Sequence, residues 1–92
     1  MNNNLPENLY KTSDTSLATY LFTEGFQILD IDYSSPRAEF IFKNNNPKLV
    51  DAVRLYSIGK TQVDAATYAR LHRKLTKIVV NQIPWTEGVI NA

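Results

Sequence analysis

The chain has 92 residues, a formal net charge of +1, 43% hydrophobic residues and no cysteine. A chain of this length predicts one domain, residues 1–92, with a modest core. The absence of cysteine excludes disulfides, thiolate metal sites and a cysteine nucleophile. The first residues lack a basic segment followed by an apolar run, and no apolar run approaches the roughly 18 residues of a membrane helix. We therefore expect a cytoplasmic protein with no membrane partner.

Charge is distributed unevenly along the chain. Residues 1–45 contain three basic and six acidic residues, whereas residues 46–80 contain seven basic and two acidic residues. Such asymmetry indicates an anionic partner for the positive part. The alternative is that these cations only keep the outer sides of helices in water.

The N-terminal part predicts a flexible arm, a candidate strand and a first helix. Residues 1–7 form the arm, and residues 8–12 are the candidate strand. Asp14, with Ser13, suits the start of a helix, and Gly25 suits its end. The apolar face of this helix is formed by Leu17, Ala18, Leu21 and Phe22.

Two strands follow and predict an antiparallel hairpin, with its turn at Ser34-Ser35-Pro36. Simple alternation in residues 26–33 places Leu29, Ile31 and Tyr33 on one face and Phe26, Ile28, Asp30 and Asp32 on the other. In the second strand, the predicted core side is formed by Ala38, Phe40 and Phe42.

Two further helices and a tail complete the chain. Asn46 and Pro47 begin the second helix, which runs to about Ile58 and turns inward Leu49, Ala52, Val53 and Tyr56. Gly59 ends it. The third helix begins at Thr61 or at Asp64, and the sequence does not decide between them. The tail, residues 81–92, is predicted to be irregular.

The predicted fold is α+β, with a small antiparallel sheet packed on one face by three helices, in the order (β)-α-β-β-α-α. The sheet is the central hairpin, with the N-terminal segment as its candidate third strand. The ordered core is expected over residues 9–80.

Several short motifs resemble a known family. They are Tyr10-Lys11-Thr12-Ser13-Asp14 (Y-K-T-S-D), Gly25-Phe26, Phe40-Ile41-Phe42 and Gly59-Lys60 followed by Val63-Asp64. The pattern is similar to that of small domains of unknown function found in phages, prophages and bacteria, and it covers about residues 9–79. The resemblance implies a compact α+β domain in a phage or mobile-element setting, and it supplies no catalytic residues.

The third helix has the clearest functional pattern. Its apolar positions fall on one stripe, and four cations fall within about a third of the circumference on a separate stripe, namely Arg70, Arg73, Lys74 and Lys77. Such a face can neutralise phosphates of DNA or RNA. Arg54 and Lys60 are candidates to extend it. The sequence therefore predicts a non-catalytic nucleic-acid-binding protein.

The alternative is a protein-interaction module, such as a phage or mobile-element adaptor or inhibitor that joins a larger complex. Its interface would use Val50, Leu55 and Ile58 of the second helix, together with Trp85. Trp85 either folds back onto the domain or anchors a partner. The order strand-helix-helix also has a passing likeness to ribbon-helix-helix repressors, but their strand pairs between two chains, whereas here the predicted hairpin supplies a partner within the chain. The oligomeric state is left open.

Candidates for chemistry are weak, and we expect no enzyme, no cofactor and no bound metal. Gly59-Lys60-Thr61 lacks the first glycine of a phosphate-binding loop, because Arg54 occupies that position. Asp30 and Asp32 supply only two cation ligands, and the side on which Glu39 lies is uncertain from sequence. His72, the single histidine, has no partner that spacing can identify.

Overall fold

A computed structural model describes residues 9–44, 46–86 and 88–91. The elements in chain order are β1 (Leu9–Thr12), α1 (Thr15–Thr23), β2 (Ile28–Asp32), β3 (Glu39–Lys43), α2 (Lys48–Ser57), α3 (Ala65–Val80) and a 3₁₀ turn (Val89–Asn91). This order confirms the predicted α+β fold and makes the N-terminal segment the third strand. The predicted arm, residues 1–7, lies outside the described residues. No helix in the described part of the chain is long and apolar enough to cross a membrane.

The sheet is antiparallel, with strand order β1-β3-β2. Phe40 and Phe42 of β3 are buried, as predicted, and they form the centre of the core. The central strand β3 pairs with a strand of the same chain on both sides. A ribbon-helix-helix repressor instead pairs its strand with that of a second chain, so the structure agrees with the predicted hairpin partner within the chain.

A β-bulge in β2 corrects the predicted alternation. Ile28 pairs with Phe42 and Ile31 with Phe40, and the register shifts between Ile28 and Asp30. The extra residue lets Ile28 and Ile31 both face the core, although they are three positions apart. Leu29 is 41% exposed instead of sharing a face with Ile31. Simple alternation fails here because a bulge inserts one unpaired residue.

Polar side chains determine where α1 and α3 begin. An Asp14 carboxylate oxygen accepts hydrogen bonds from the main-chain N–H groups of Ser16 at 2.9 Å and Leu17 at 3.2 Å. Asp64 accepts one from the N–H of Thr67 at 3.0 Å. Asp14 thus satisfies two amides, and Asp64 one, that have no partner within the helix. Asp64, not Thr61, therefore caps α3.

Gly59 ends α2 in the left-handed conformation, with φ +72°. The turn brings the Lys60 N–H to the Leu55 carbonyl at 2.9 Å, which satisfies one of the last carbonyls of the helix. Gly59 and Lys60 thus form a helix end, and α3 begins only after a further link.

The helices lie on one face of the sheet, and α1 packs against both α2 and α3. The inward side of α2 is the predicted one: Leu49 and Ala52 are buried, and Val53 and Tyr56 are partly buried. From α3, Leu71, Leu75 and Ile78 enter the core. The rotation of each helix about its axis, and so its solvent side, follows from these apolar positions.

The C-terminal segment folds back over the domain. The Trp85 Nε1–H donates to the Ile28 carbonyl at 3.1 Å, and the indole meets the Phe22 ring edge-on at 6.5 Å between centroids. The Tyr33 hydroxyl donates to the Ile83 carbonyl at 2.7 Å. Of the two alternatives for Trp85, the structure has the intramolecular one.

Candidate nucleic-acid interface

The candidate interface is the solvent side of α3. Burial of the apolar stripe turns Arg70, Arg73 and Lys77 outward, and all three are exposed. On an α-helix these three positions span about 60° of the circumference. We call these three residues the basic face.

No carboxylate in residues 9–44, 46–86 or 88–91 forms a salt bridge with the basic face; the ion pair in this part of the chain joins Arg54 to Asp51. Three like charges on one side of a helix repel one another weakly in water. After the hydrogen bonds from Thr67, Arg70 also helps to lower the pKa of Asp64. Even so, no ion pair within the described residues neutralises the basic face.

Lys74 departs from the predicted pattern. Its Nζ donates to the main-chain oxygen of Ile90 at 3.0 Å, and its side chain is partly buried. Ile90 is itself only 6% exposed. Lys74 thus lies at the border of the stripe, where the C-terminal segment covers α3, and part of its donor capacity is used within the molecule.

An open groove borders the basic face on this side. It has a volume of about 360 Å³ and is lined by Lys74, Lys77, Ile78, Ile83 and Val89. Two lysines thus line a groove whose other walls are aliphatic side chains.

Arg54 and Lys60 do not lie on the helix that carries the basic face. Arg54 is on α2, and its guanidinium is 3.5 Å from the Asp51 carboxylate on the same helix. Lys60 follows the end of α2 and is exposed. Arg54 therefore brings a charge that is already paired, on a helix that packs against α1.

The residues of the alternative interface are only partly brought together. Val50, Leu55 and Ile58 are 61%, 38% and 57% exposed, and they lie on the side of α2 opposite its buried residues. Trp85 is instead engaged with Phe22 and Ile28. The apolar side of α2 is thus an exposed surface without Trp85.

A polar cluster that the sequence did not indicate joins α1 to α3. Ser16 Oγ lies 3.4 Å from His72 Nε2, the Tyr68 hydroxyl donates to the Ser16 carbonyl at 3.2 Å, and the Tyr68 and His72 rings stack at 5.9 Å. Burial, together with the charge of Asp14, raises the pKa of the nearby Tyr56 hydroxyl. Tyr68 and His72 are one helical turn apart on α3, but Ser16 is more than 50 residues from both, so spacing could not reveal that it meets them.

The acidic residues of the hairpin share the outer side of the sheet. Asp32 pairs in register with Glu39, and Asp30 pairs with Ile41. Hydrogen bonds from Ser34 lower the pKa of Asp32, and Asp30 accepts from the Ile31 N–H at 2.8 Å. Over the described ranges, no three histidine, aspartate or glutamate side chains come close enough together to hold a metal ion.

Comparison of the sequence with family models gives a match over most of the chain. Residues 7–81 match the family described as Domain of unknown function (DUF5659). The chain belongs to this family. No curated protein and no solved structure matches the chain significantly.

The DUF5659 match includes the whole basic face and ends just after α3. Ile83, Trp85 and Ile90, which cover the end of α3 and the edge of β2, lie beyond the matched residues. The Lys74–Ile90 hydrogen bond therefore joins a residue within the family match to a segment outside it.

Proposed function

We propose that the protein is a small non-catalytic accessory protein that binds nucleic acid through the basic face of α3. A cytoplasmic, phage or mobile-element setting is part of this proposal. The observation that carries it is the outward, exposed placement of Arg70, Arg73 and Lys77, with no ion pair to a described carboxylate. Such a face replaces the counterions that surround a phosphate backbone, and their release drives binding.

The chemistry of the face favours binding to the backbone over reading of base sequence. An amide side chain could pair with a base edge, but α3 contains no asparagine or glutamine. Asn81 and Gln82 come only after its end. We expect dissociation constants of roughly 1–100 μM at physiological salt, as for non-specific binding.

Fluorescence anisotropy with labelled single-stranded RNA, single-stranded DNA and duplex DNA tests the proposal. The logarithm of the affinity for duplex DNA should fall with the logarithm of salt concentration with a slope of about −3, because about 0.9 counterions are released per phosphate contacted. Arg73→Glu combined with Lys77→Glu should abolish binding.

The matched control is Lys11→Glu combined with Lys43→Glu. This variant changes the net charge equally, but both positions are exposed on the outer side of the sheet. It should bind nearly as well as the wild type. Equal losses in the two double variants would show that net charge alone matters, and the role of the basic face would then be rejected.

The second candidate is protein interaction through α2, which the exposure of Val50 and Ile58 favours. Capture from a lysate of the native cells, with and without nuclease, separates the two functions. Partners retained through nucleic acid are lost after nuclease treatment, whereas partners of α2 survive it and are lost with Ile58→Lys.

A further inference from the structure

The outer side of α2 carries an apolar surface with a pair of opposite charges in it. At 100° per residue, Val50, Leu55 and Ile58 fall within about 140° of the circumference, and the same sector contains Asp51 and Arg54. We call these five residues the α2 outer face. Single exposed aliphatic residues are ordinary, but two on a ten-residue helix and a third directly after its last residue form a surface whose burial would be favourable.

The charges of the α2 outer face sum to zero, in contrast to those of the basic face of α3. Asp51 and Arg54 are one helical turn apart. The Arg54 guanidinium lies 3.5 Å from the Asp51 carboxylate, and the side chains of Asp51 and Arg54 are 65% and 67% exposed. The basic faces of two copies of the chain would repel each other. A surface with one acid and one base can instead match an inverted copy of itself.

We propose that the α2 outer face packs antiparallel against the same face of a second copy of this chain. The two-fold axis passes midway between positions 51 and 54. Asp51 then faces the partner's Arg54, Arg54 faces the partner's Asp51, and Val50 and Leu55 flank these charges on either side. A parallel pairing would set like charges against each other, so the charges select the antiparallel register.

This inference deepens the second candidate function, because it names the partner of α2, and it does not depend on nucleic-acid binding. The inner side of α2 packs on α1, so pairing through the outer side leaves the core unchanged. A helix of ten residues is about 15 Å long and buries less than the roughly 800 Å² per partner of a standard interface. The dimer should therefore be weak, with a dissociation constant on the order of tens to hundreds of micromolar.

Sedimentation velocity of the full chain, from about 10 μM to about 1 mM, tests the pairing over this range of expected affinity. The wild type should shift from monomer to dimer. Asp51→Arg and Arg54→Asp should each remain monomeric alone, since each gives one face two like charges. An equimolar mixture of the two variants should recover the dimer, because the faces are then oppositely charged.

A second pair of variants tests the apolar part of the contact. Val50→Lys should abolish the dimer, whereas Val80→Lys should retain it, because Val80 is 73% exposed on α3, outside the α2 outer face. Far-UV circular dichroism checks that both variants are folded.

Three results would overturn the pairing: a wild type that stays monomeric at every concentration, charge-reversal variants that associate as the wild type does, or a mixture that stays monomeric. A monomeric wild type whose lysate partners still resist nuclease would reject self-pairing and keep the second candidate function, with a partner of different sequence.

Discussion

Lys74 and Ile90 are joined by a hydrogen bond of 3.0 Å from the lysine Nζ to the isoleucine main-chain oxygen. The contact ties α3 to the 3₁₀ turn that follows it by some ten residues. It also divides the four cations predicted for one stripe into three that face solvent and one that also has a structural role.

Lys74→Met should therefore act mainly on stability. It keeps the aliphatic stem and removes the donor, so the free energy of unfolding should fall by about 1 kcal/mol, less than is usual for a charged hydrogen bond, because the site is only partly buried. Arg73→Met should leave the stability nearly unchanged and weaken oligonucleotide binding more. Urea unfolding and anisotropy measure the two effects, and equal binding losses in both variants would contradict the distinction.

Trp85 should stabilise the domain through both its ring and its N–H group. Trp85→Phe keeps an aromatic ring near Phe22 and loses the donor to Ile28, which should cost about 1 kcal/mol. Trp85→Ala also loses the packing and should cost about 2–3 kcal/mol, less than a fully buried tryptophan would. Urea unfolding of both variants tests this order. Wild-type stability in Trp85→Ala would mean that the segment does not dock in solution.

The cap of α3 should make stability depend on pH under acidic conditions. Hydrogen bonds from the Thr67 side chain and main chain hold the pKa of Asp64 below its ordinary value of 3.8. The folded state then binds fewer protons than the unfolded state, so this contribution is complete above about pH 4 and is lost as pH falls through the folded-state pKa.

Thr67→Ala removes the largest cause of that shift and should reduce the part of the acid-induced loss that comes from Asp64. The measurement is the urea midpoint from neutral pH down to about pH 2, below the ordinary carboxyl pKa. An unchanged pH profile in Thr67→Ala would contradict the assignment to this cap.

The cost of replacing Gly59 should depend on its backbone conformation and not on steric contact. A Cβ at this position would meet no atom within 4 Å, so the cost comes from φ +72° alone. Gly59→Ala should lower the free energy of unfolding by about 1 kcal/mol, and Gly59→Asn by less, because asparagine adopts the left-handed region more readily. Gly88→Ala is the control, since Gly88 also has open space but no positive φ. Equal losses at Gly59 and Gly88 would contradict this reason.

The sequence predicted the fold where short-range patterns determine the structure. Asp14 and Asp64 suit helix starts, Gly25 and Gly59 suit helix ends, and the alternation of β3 identified Phe40 and Phe42 as core residues. It failed at Leu29, because a bulge depends on how β2 pairs with β3 and leaves no signal in alternation.

The candidate site divides in the same way. Helical spacing predicted that Arg70, Arg73 and Lys77 lie away from the apolar stripe, and all three are exposed. It could not show that Lys74 meets Ile90, since that contact depends on the path of the tail. A weak sign was present, because Lys74 is the cation nearest to the apolar stripe on the helix.

The most direct test of the central claim is an NMR titration of the ¹⁵N-labelled protein with a short unlabelled oligonucleotide at about 50 mM salt, where screening is weak. We expect the amide shifts that change on binding to cluster in α3 around Arg70, Arg73 and Lys77, and to return toward their free positions as salt is added. Shifts that cluster on the sheet or on α2, or no change at saturating oligonucleotide, would contradict binding through the basic face.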